Sequence, residues 1–128
     1  MTELSPVVTI SHKSDSIYKK STTVGRAAPQ IEIKITDPES NQIVPWGQPG
    51  EICARGYAVM KGYWDDDKKT QESIIDGWMH TGDLGQFDED GFVQIIGRAK
   101  DMIIRGGENI YPKELEEFLM KHPNISDA

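Results

Sequence analysis

Gln30-Ile31-Glu32-Ile33-Lys34-Ile35-Thr36 decides the fold class. Isoleucine recurs at every second position, and the side chains between are charged. Successive side chains of an extended chain point to opposite faces, so the stretch has one face to bury and one to wet. That predicts a β-strand over 30–36. Working outward, Asp37-Pro38 opens a turn, and Pro45, Gly47, Pro49 and Gly50 punctuate a loop before a second strand at 51–55. Trp78-Met79-His80 is extended, and Thr81-Gly82-Asp83 is expected to close it as a turn. Residues 86–87 and 92–96 then flank Asp88-Glu89-Asp90-Gly91, whose Asp-Gly pair predicts a hairpin.

Helical signals lie around and beyond these strands. A polar helix is predicted over 66–75. Pro112 suits a first helical turn, Leu115, Phe118 and Leu119 follow at helical spacing, and Glu114, Glu116 and Glu117 take the wetter positions. The apolar run 102–104 stops at Gly106-Gly107. Residues 1–29 read as irregular, with Val7, Val8 and Ile10 marking one short strand. The expected class is α+β. Tyr63, Trp64 and Trp78 read as packing residues, Cys53 as a small core hydrophobe, and His12 and His122 as solvated or capping groups. His80 is read without a catalytic role.

Composition narrows the function. The chain has 128 residues, enough for one modest domain or pieces of two. Acidic residues outnumber basic ones by 21 to 14, a formal charge of −7 that argues against a nucleic-acid backbone binder. No apolar run approaches the ~18 residues of a membrane helix. The single cysteine cannot form an internal disulfide or a zinc site alone, and no secretory leader is read at the N-terminus. Both ends read as cut, because the first residues look functional and the last helix has little sequence after it to cover its apolar stripe.

Three short motifs could carry chemistry. In Thr81-Gly82-Asp83 the glycine permits close backbone approach, and the aspartate could accept hydrogen bonds from adjacent sugar hydroxyls. Gly97-Arg98 could add a sugar or phosphate contact, and Gly106-Gly107 could line a channel for a slender ligand. Taken singly, each is as well read as a turn, a solvated loop residue or a strand terminator.

Their order and spacing are more specific. Met1-Thr2-Glu3, Gly50-Glu51-Ile52, Gly56, Gly62-Tyr63-Trp64, Thr81-Gly82-Asp83 after Trp78, Gly91-Phe92 and Gly97-Arg98-Ala99-Lys100-Asp101 form one series. Gly106-Gly107-Glu108-Asn109-Ile110-Tyr111-Pro112 and Glu114-Leu115-Glu116 complete it. The series resembles the adenylate-forming superfamily of acyl-CoA synthetases, luciferases and peptide-synthetase adenylation domains, over essentially the whole chain. Ile104 and Glu108-Asn109-Ile110-Tyr111-Pro112 depart from the peptide-synthetase pattern and resemble fatty and aryl acyl-CoA synthetases, medium-chain fatty acyl-CoA synthetases most closely.

The resemblance implies a part of an adenylate-forming enzyme. Residues 1–98 would be the C-terminal part of the large AMP-binding domain with its β-rich subdomain. Residues 99–128 would be the hinge and the beginning of the small α+β C-terminal domain. It implies an ATP-dependent ligase that forms an acyl-AMP from a fatty acid and then an acyl-CoA. ATP/AMP, Mg²⁺ and coenzyme A are the implied cofactors and substrates. Thr2 matches the threonine that contacts the nucleotide phosphate, and Glu3 the glutamate that helps to hold Mg²⁺; both are assigned to the catalytic set. Asp83 matches the aspartate that binds the ribose hydroxyls, Arg98 an arginine that contacts the ribose and orients the nucleotide, and Lys100 the hinge. Gly106 and Gly107 match the glycine pair beside the pantetheine tunnel.

The family's phosphate loop, most of its acyl pocket and its adenylation lysine find no match in this sequence, so the chain alone is expected to be inactive. The alternatives are an aryl- or other carboxylate-CoA ligase, or a truncated non-catalytic product. No nucleic-acid partner and no transmembrane segment are expected. Kinship implies a mitochondrial location, otherwise a cytoplasmic and not a secreted one.

Overall fold

Register, rather than composition, explains why the chain builds a sheet. The computed structural model describes residues 1–106 and 108–127. A 3₁₀ turn over Thr2–Leu4 leads into β1 (Thr9–Ile10), α1 (Ile17–Thr22), β2 (Arg26–Ala27), β3 (Ile31–Thr36) and β4 (Gly50–Gly56). Then follow α2 (Asp67–Ser73), β5 (Ile74–Ile75), β6 (Trp78–Phe87) and β7 (Val93–Arg98). A second 3₁₀ turn, Ala99–Asp101, joins these to β8 (Ile103–Arg105), β9 (Glu108–Ile110) and α3 (Pro112–Leu119).

The main sheet is antiparallel, with β3 beside β4 and β4 beside β6. The other edge of β6 is shared: β5 pairs with its beginning and β7 with its end. On one face, Ile35, Ile52 and Val93 form a buried cluster, with Ile33, Phe87 and Ile95 packed against it. Leu4, Ala54 and Met79 form a second buried cluster. The isoleucine alternation of β3 supplies this face, as its period requires. Register places Thr36 opposite Glu51, and Cys53 opposite both Lys34 and His80, on the other face. There the Arg55 guanidinium pairs with Glu32 at 2.6 Å, and it and the Lys34 ammonium lie over the Trp78 ring.

The structure corrects several sequence expectations. Residues 1–29 are not all irregular, since β1 pairs with β2 and α1 lies between them. The Ser16 hydroxyl caps α1 by accepting from the Lys19 amide, and the Lys19 ammonium bridges Asp88 and Asp90 of the β6–β7 hairpin. The strand predicted from Gln30 begins one residue later, because Gln30 has φ of 62°. The polar helix stops at Ser73, and Ile74–Ile75 is β5. Trp64 does not pack; it is 98% exposed. Thr81-Gly82-Asp83 does not close a strand but lies inside the continuous β6.

Candidate functional site

Within β6 the ladder to β4 breaks in a defined way. Glu51 is opposite Leu84 and Cys53 is opposite His80, so Ile52 alone faces three residues, Thr81, Gly82 and Asp83. This is a bulge, which kinks a strand and re-aims its side chains. Gly82 adopts φ of 71°, in the left-handed region that an L side chain resists. The displaced backbone groups find substitutes. The Thr81 hydroxyl donates to the Ile52 carbonyl at 2.7 Å and accepts from the Asp83 amide at 3.1 Å. The Gly82 amide donates to Glu51 Oε1 at 2.9 Å, and His80 Nδ1 lies 2.7 Å from Glu51 Oε2.

Beyond the bulge, Asp83 pairs in register with Arg98 at the end of β7. Asp83 Oδ1 and Arg98 Nε are 3.5 Å apart, with Asp83 about a third exposed. A pair so long and so accessible is weakly held, which leaves both groups free to take a ligand. They open on a cleft of about 440 Å³ that Glu3, Gly82 and Lys100 also line. That volume falls in the usual range for small-molecule sites. The cleft offers carboxylate acceptors for hydroxyl groups beside two cations suited to phosphate.

Glu3 is brought there by a relay of local contacts. Asp66 caps α2, and Thr70 on that helix accepts from the Tyr63 amide at 2.9 Å. The Tyr63 hydroxyl then donates to Glu3 Oε1 at 3.1 Å, and the Met60 amide donates to the Glu3 carbonyl. Glu3's own backbone N–H, followed by the Tyr63 hydroxyl, holds its carboxyl below the ordinary value of 4.5. The Glu3 carboxylate, a hard oxygen donor at the rim, fits a magnesium ion that would be held mainly by phosphate oxygens and water. The group Glu51, Cys53 and His80 offers mixed donors of another kind, and its carboxylate is already engaged. Burial pushes the Cys53 thiol up.

Of the residues singled out by sequence, Glu3, Asp83, Arg98 and Lys100 meet at the cleft. Thr2 is exposed on the first 3₁₀ turn and is not among the lining residues. Gly106 is exposed after β8 with φ of 64°, and a Cβ there would meet nothing within 4 Å, so backbone conformation rather than crowding calls for glycine. Gly107 lies outside the described residues. Glu51 and Tyr63 belong to the sequence series, Tyr63 as a packing residue, but neither was assigned to the site. Beyond its place in Gly50-Glu51-Ile52, the signal for Glu51 was a carboxylate next to the apolar run Ile52-Cys53-Ala54.

Comparison with known proteins adds a family and its relatives. The family described as AMP-binding enzyme matches residues 1–64. YngI of Bacillus subtilis (strain 168) is 54% identical over 128 residues, covering 99% of this chain and 23% of that protein. The mitochondrial medium-chain acyl-CoA ligase ACSF2 of Rattus norvegicus is 48% identical over 128 residues, covering 99% of this chain and 21% of its own length. The chain therefore spans under a quarter of these relatives. Among solved structures, o-succinylbenzoate CoA synthetase (MenE) of Bacillus subtilis, in complex with its acyl-adenylate intermediate, superposes with a TM-score of 0.88 at 37% identity. That match covers 100% of this chain and 26% of the other.

Proposed function

The chain belongs to the AMP-binding enzyme family, and from that premise we propose that it forms one wall of the nucleotide site of an ATP-dependent fatty acid–CoA ligase. One observation carries the reading. The bulge aims Asp83 into a cleft beside Arg98, with Glu3 and Lys100 on the same rim. In this reading Asp83 accepts hydrogen bonds from the ribose hydroxyls, and Arg98 contacts the ribose and orients the nucleotide. Glu3 helps to hold Mg²⁺, whose charge offsets that of the phosphates. Thr2 contacts phosphate once the 3₁₀ turn is engaged by ligand. Lys100 is the hinge between a large-domain part, residues 1–98, and the start of a small domain, residues 99–128. Gly106 and Gly107 flank the pantetheine path.

The reaction has two steps. A carboxylate attacks the α-phosphorus of ATP, giving acyl-AMP and pyrophosphate. The CoA thiol then attacks the acyl carbonyl, and AMP leaves. The chain is not expected to complete either step alone. Medium-chain fatty acids are the proposed substrates, on the 48% likeness to a medium-chain ligase. A second reading, an aryl or other carboxylate, draws support from the superposition of this chain on about a quarter of o-succinylbenzoate CoA synthetase, whose acid carries an aryl ring. A mitochondrial setting follows the mammalian relative, with a cytoplasmic one as the alternative.

The test is a titration of the chain with AMP, followed by NMR, for the parent and for Asp83→Ala. Losing a hydrogen bond to a charged acceptor should cost about 1.5–3 kcal/mol, or roughly ten- to a hundredfold in affinity. Equal affinity in a folded variant returns Asp83 to a purely structural place in the bulge.

A further inference from the structure

The bulge that presents Asp83 is held by a residue that does not touch the cleft. Three residues of β6 opposite one of β4 forfeit ladder hydrogen bonds, and the half-buried Gly82 amide finds another acceptor. Glu51 supplies it. Its side chain is only 14% exposed and is absent from the cleft lining, yet its two oxygens are divided between the bulge and its flank. Oε1 accepts from the Gly82 amide at 2.9 Å, and Oε2 engages His80 Nδ1 at 2.7 Å. An ionised carboxylate only accepts, so His80 donates from Nδ1. Its other ring nitrogen, Nε2, is buried and has no hydrogen-bond partner among the described residues. Nδ1 faces Glu51, with Cys53 Sγ the more distant neighbour at 3.5 Å, and His80 is not among the residues lining the cleft. The carboxylate grips the residues on either side of Thr81, while the Thr81 hydroxyl ties the Asp83 amide into the same knot.

We propose that Glu51 is a positioning residue for nucleotide ribose: by clamping Gly82 and His80 it fixes the bulge that aims Asp83 at the sugar hydroxyls. This rests on the reading of Asp83 as the ribose ligand.

The experiment compares two ligands on the 128-residue chain, AMP and 2′,3′-dideoxy-AMP, which lacks both hydroxyls that Asp83 would bind. The parent chain should prefer AMP by about ten- to a hundredfold, and Asp83→Ala should erase that preference. Glu51→Ala should bring it within about threefold of parity with little change in dideoxy-AMP affinity, and adding it to Asp83→Ala should cost no further preference. Glu51→Gln, which keeps an oxygen for the Gly82 amide, should retain most of it. If Glu51→Ala does not fold, Glu51→Asp keeps the charge but falls short of the Gly82 amide, and should lower the preference in a folded chain. A merely structural Glu51 would weaken both ligands alike and leave the ratio intact. An intact ratio in folded Glu51→Ala, or in Glu51→Asp where it replaces that variant, beside its loss in Asp83→Ala, overturns the role of Glu51 and leaves that of Asp83 standing. A parent chain that does not distinguish the two ligands overturns both.

Discussion

Glu3 shows how a single carboxylate is tuned by groups that are far apart in sequence. Its own amide and then the Tyr63 hydroxyl favour the ionised form, so its pKa in the folded chain lies below the ordinary 4.5. The sign of the linkage follows. A depressed carboxylate contributes stability above its unfolded value, and the contribution disappears as pH falls through the folded value, here a window below about 4.5. Tyr63→Phe removes the second-ranked cause and leaves the first. The Glu3 side-chain carboxyl, followed by carbon NMR through an acid titration, should then titrate at higher pH than in the parent but still below the ordinary glutamate value. An unmoved midpoint would mean that the Tyr63 hydroxyl gives Glu3 no hydrogen bond in solution. An ionised Glu3 at neutral pH is also what a proposed Mg²⁺ ligand requires.

Strand β6 carries two glycines that matter for opposite reasons. Gly82 has φ of 71° and open space where a Cβ would go, so Gly82→Ala meets only backbone resistance, about 1–2 kcal/mol. Gly85 has no such φ, but a Cβ there would lie 2.5 Å from the Gln94 carbonyl oxygen and 2.7 Å from Ile52 Cδ1. Gly85→Ala must push β7 or Ile52 aside, at about 1–3 kcal/mol for overpacking, with loss of β6–β7 ladder bonds in addition. Urea denaturation should therefore rank Gly85→Ala as the more damaging change, and the reverse order would refute this account of the bulge region. The same strand marks the limit of what sequence could reveal. Strands β3 and β4 and the β6–β7 hairpin were legible because alternation and an Asp-Gly turn are local signals. The bulge was not, because it depends on Glu51 and Ile52 standing opposite. Helix α1 was hidden too: Ile17 and Tyr18 are 85% and 69% exposed, so no apolar stripe marked it. The family resemblance did assign Asp83 and Arg98 to the nucleotide, whereas Glu51, a member of the same series, acts through contacts and was given no role there.

Across the whole molecule, the sheet passes to the β8–β9 hairpin and α3 through one short 3₁₀ turn, Ala99–Asp101. Helix α3 formed where its spacing predicted, yet Leu115, Phe118 and Leu119 are 52%, 70% and 44% exposed, so the stripe is not buried among the described residues. Lys100 sits at the centre of the turn, flanked by extended backbone at Arg98 and Met102. If it is the hinge, its backbone torsions differ between an adenylating and a thioester-forming arrangement of the two parts. Proline fixes φ near −65° and drives the preceding residue out of the helical region, so Lys100→Pro would restrict both Lys100 and Ala99. Lys100→Ala removes the same ammonium from the cleft without that restriction, and the difference between the two variants isolates the backbone. In a full-length ligase carrying this chain, pyrophosphate exchange reads adenylation, and transfer of preformed acyl-AMP to CoA reads thioester formation. Relative to Lys100→Ala, Lys100→Pro should retain exchange and slow transfer by about a hundredfold or more, some 3 kcal/mol of barrier. Equal loss in both half-reactions would point to misfolding around the turn, and no loss in either would place the hinge elsewhere in the chain.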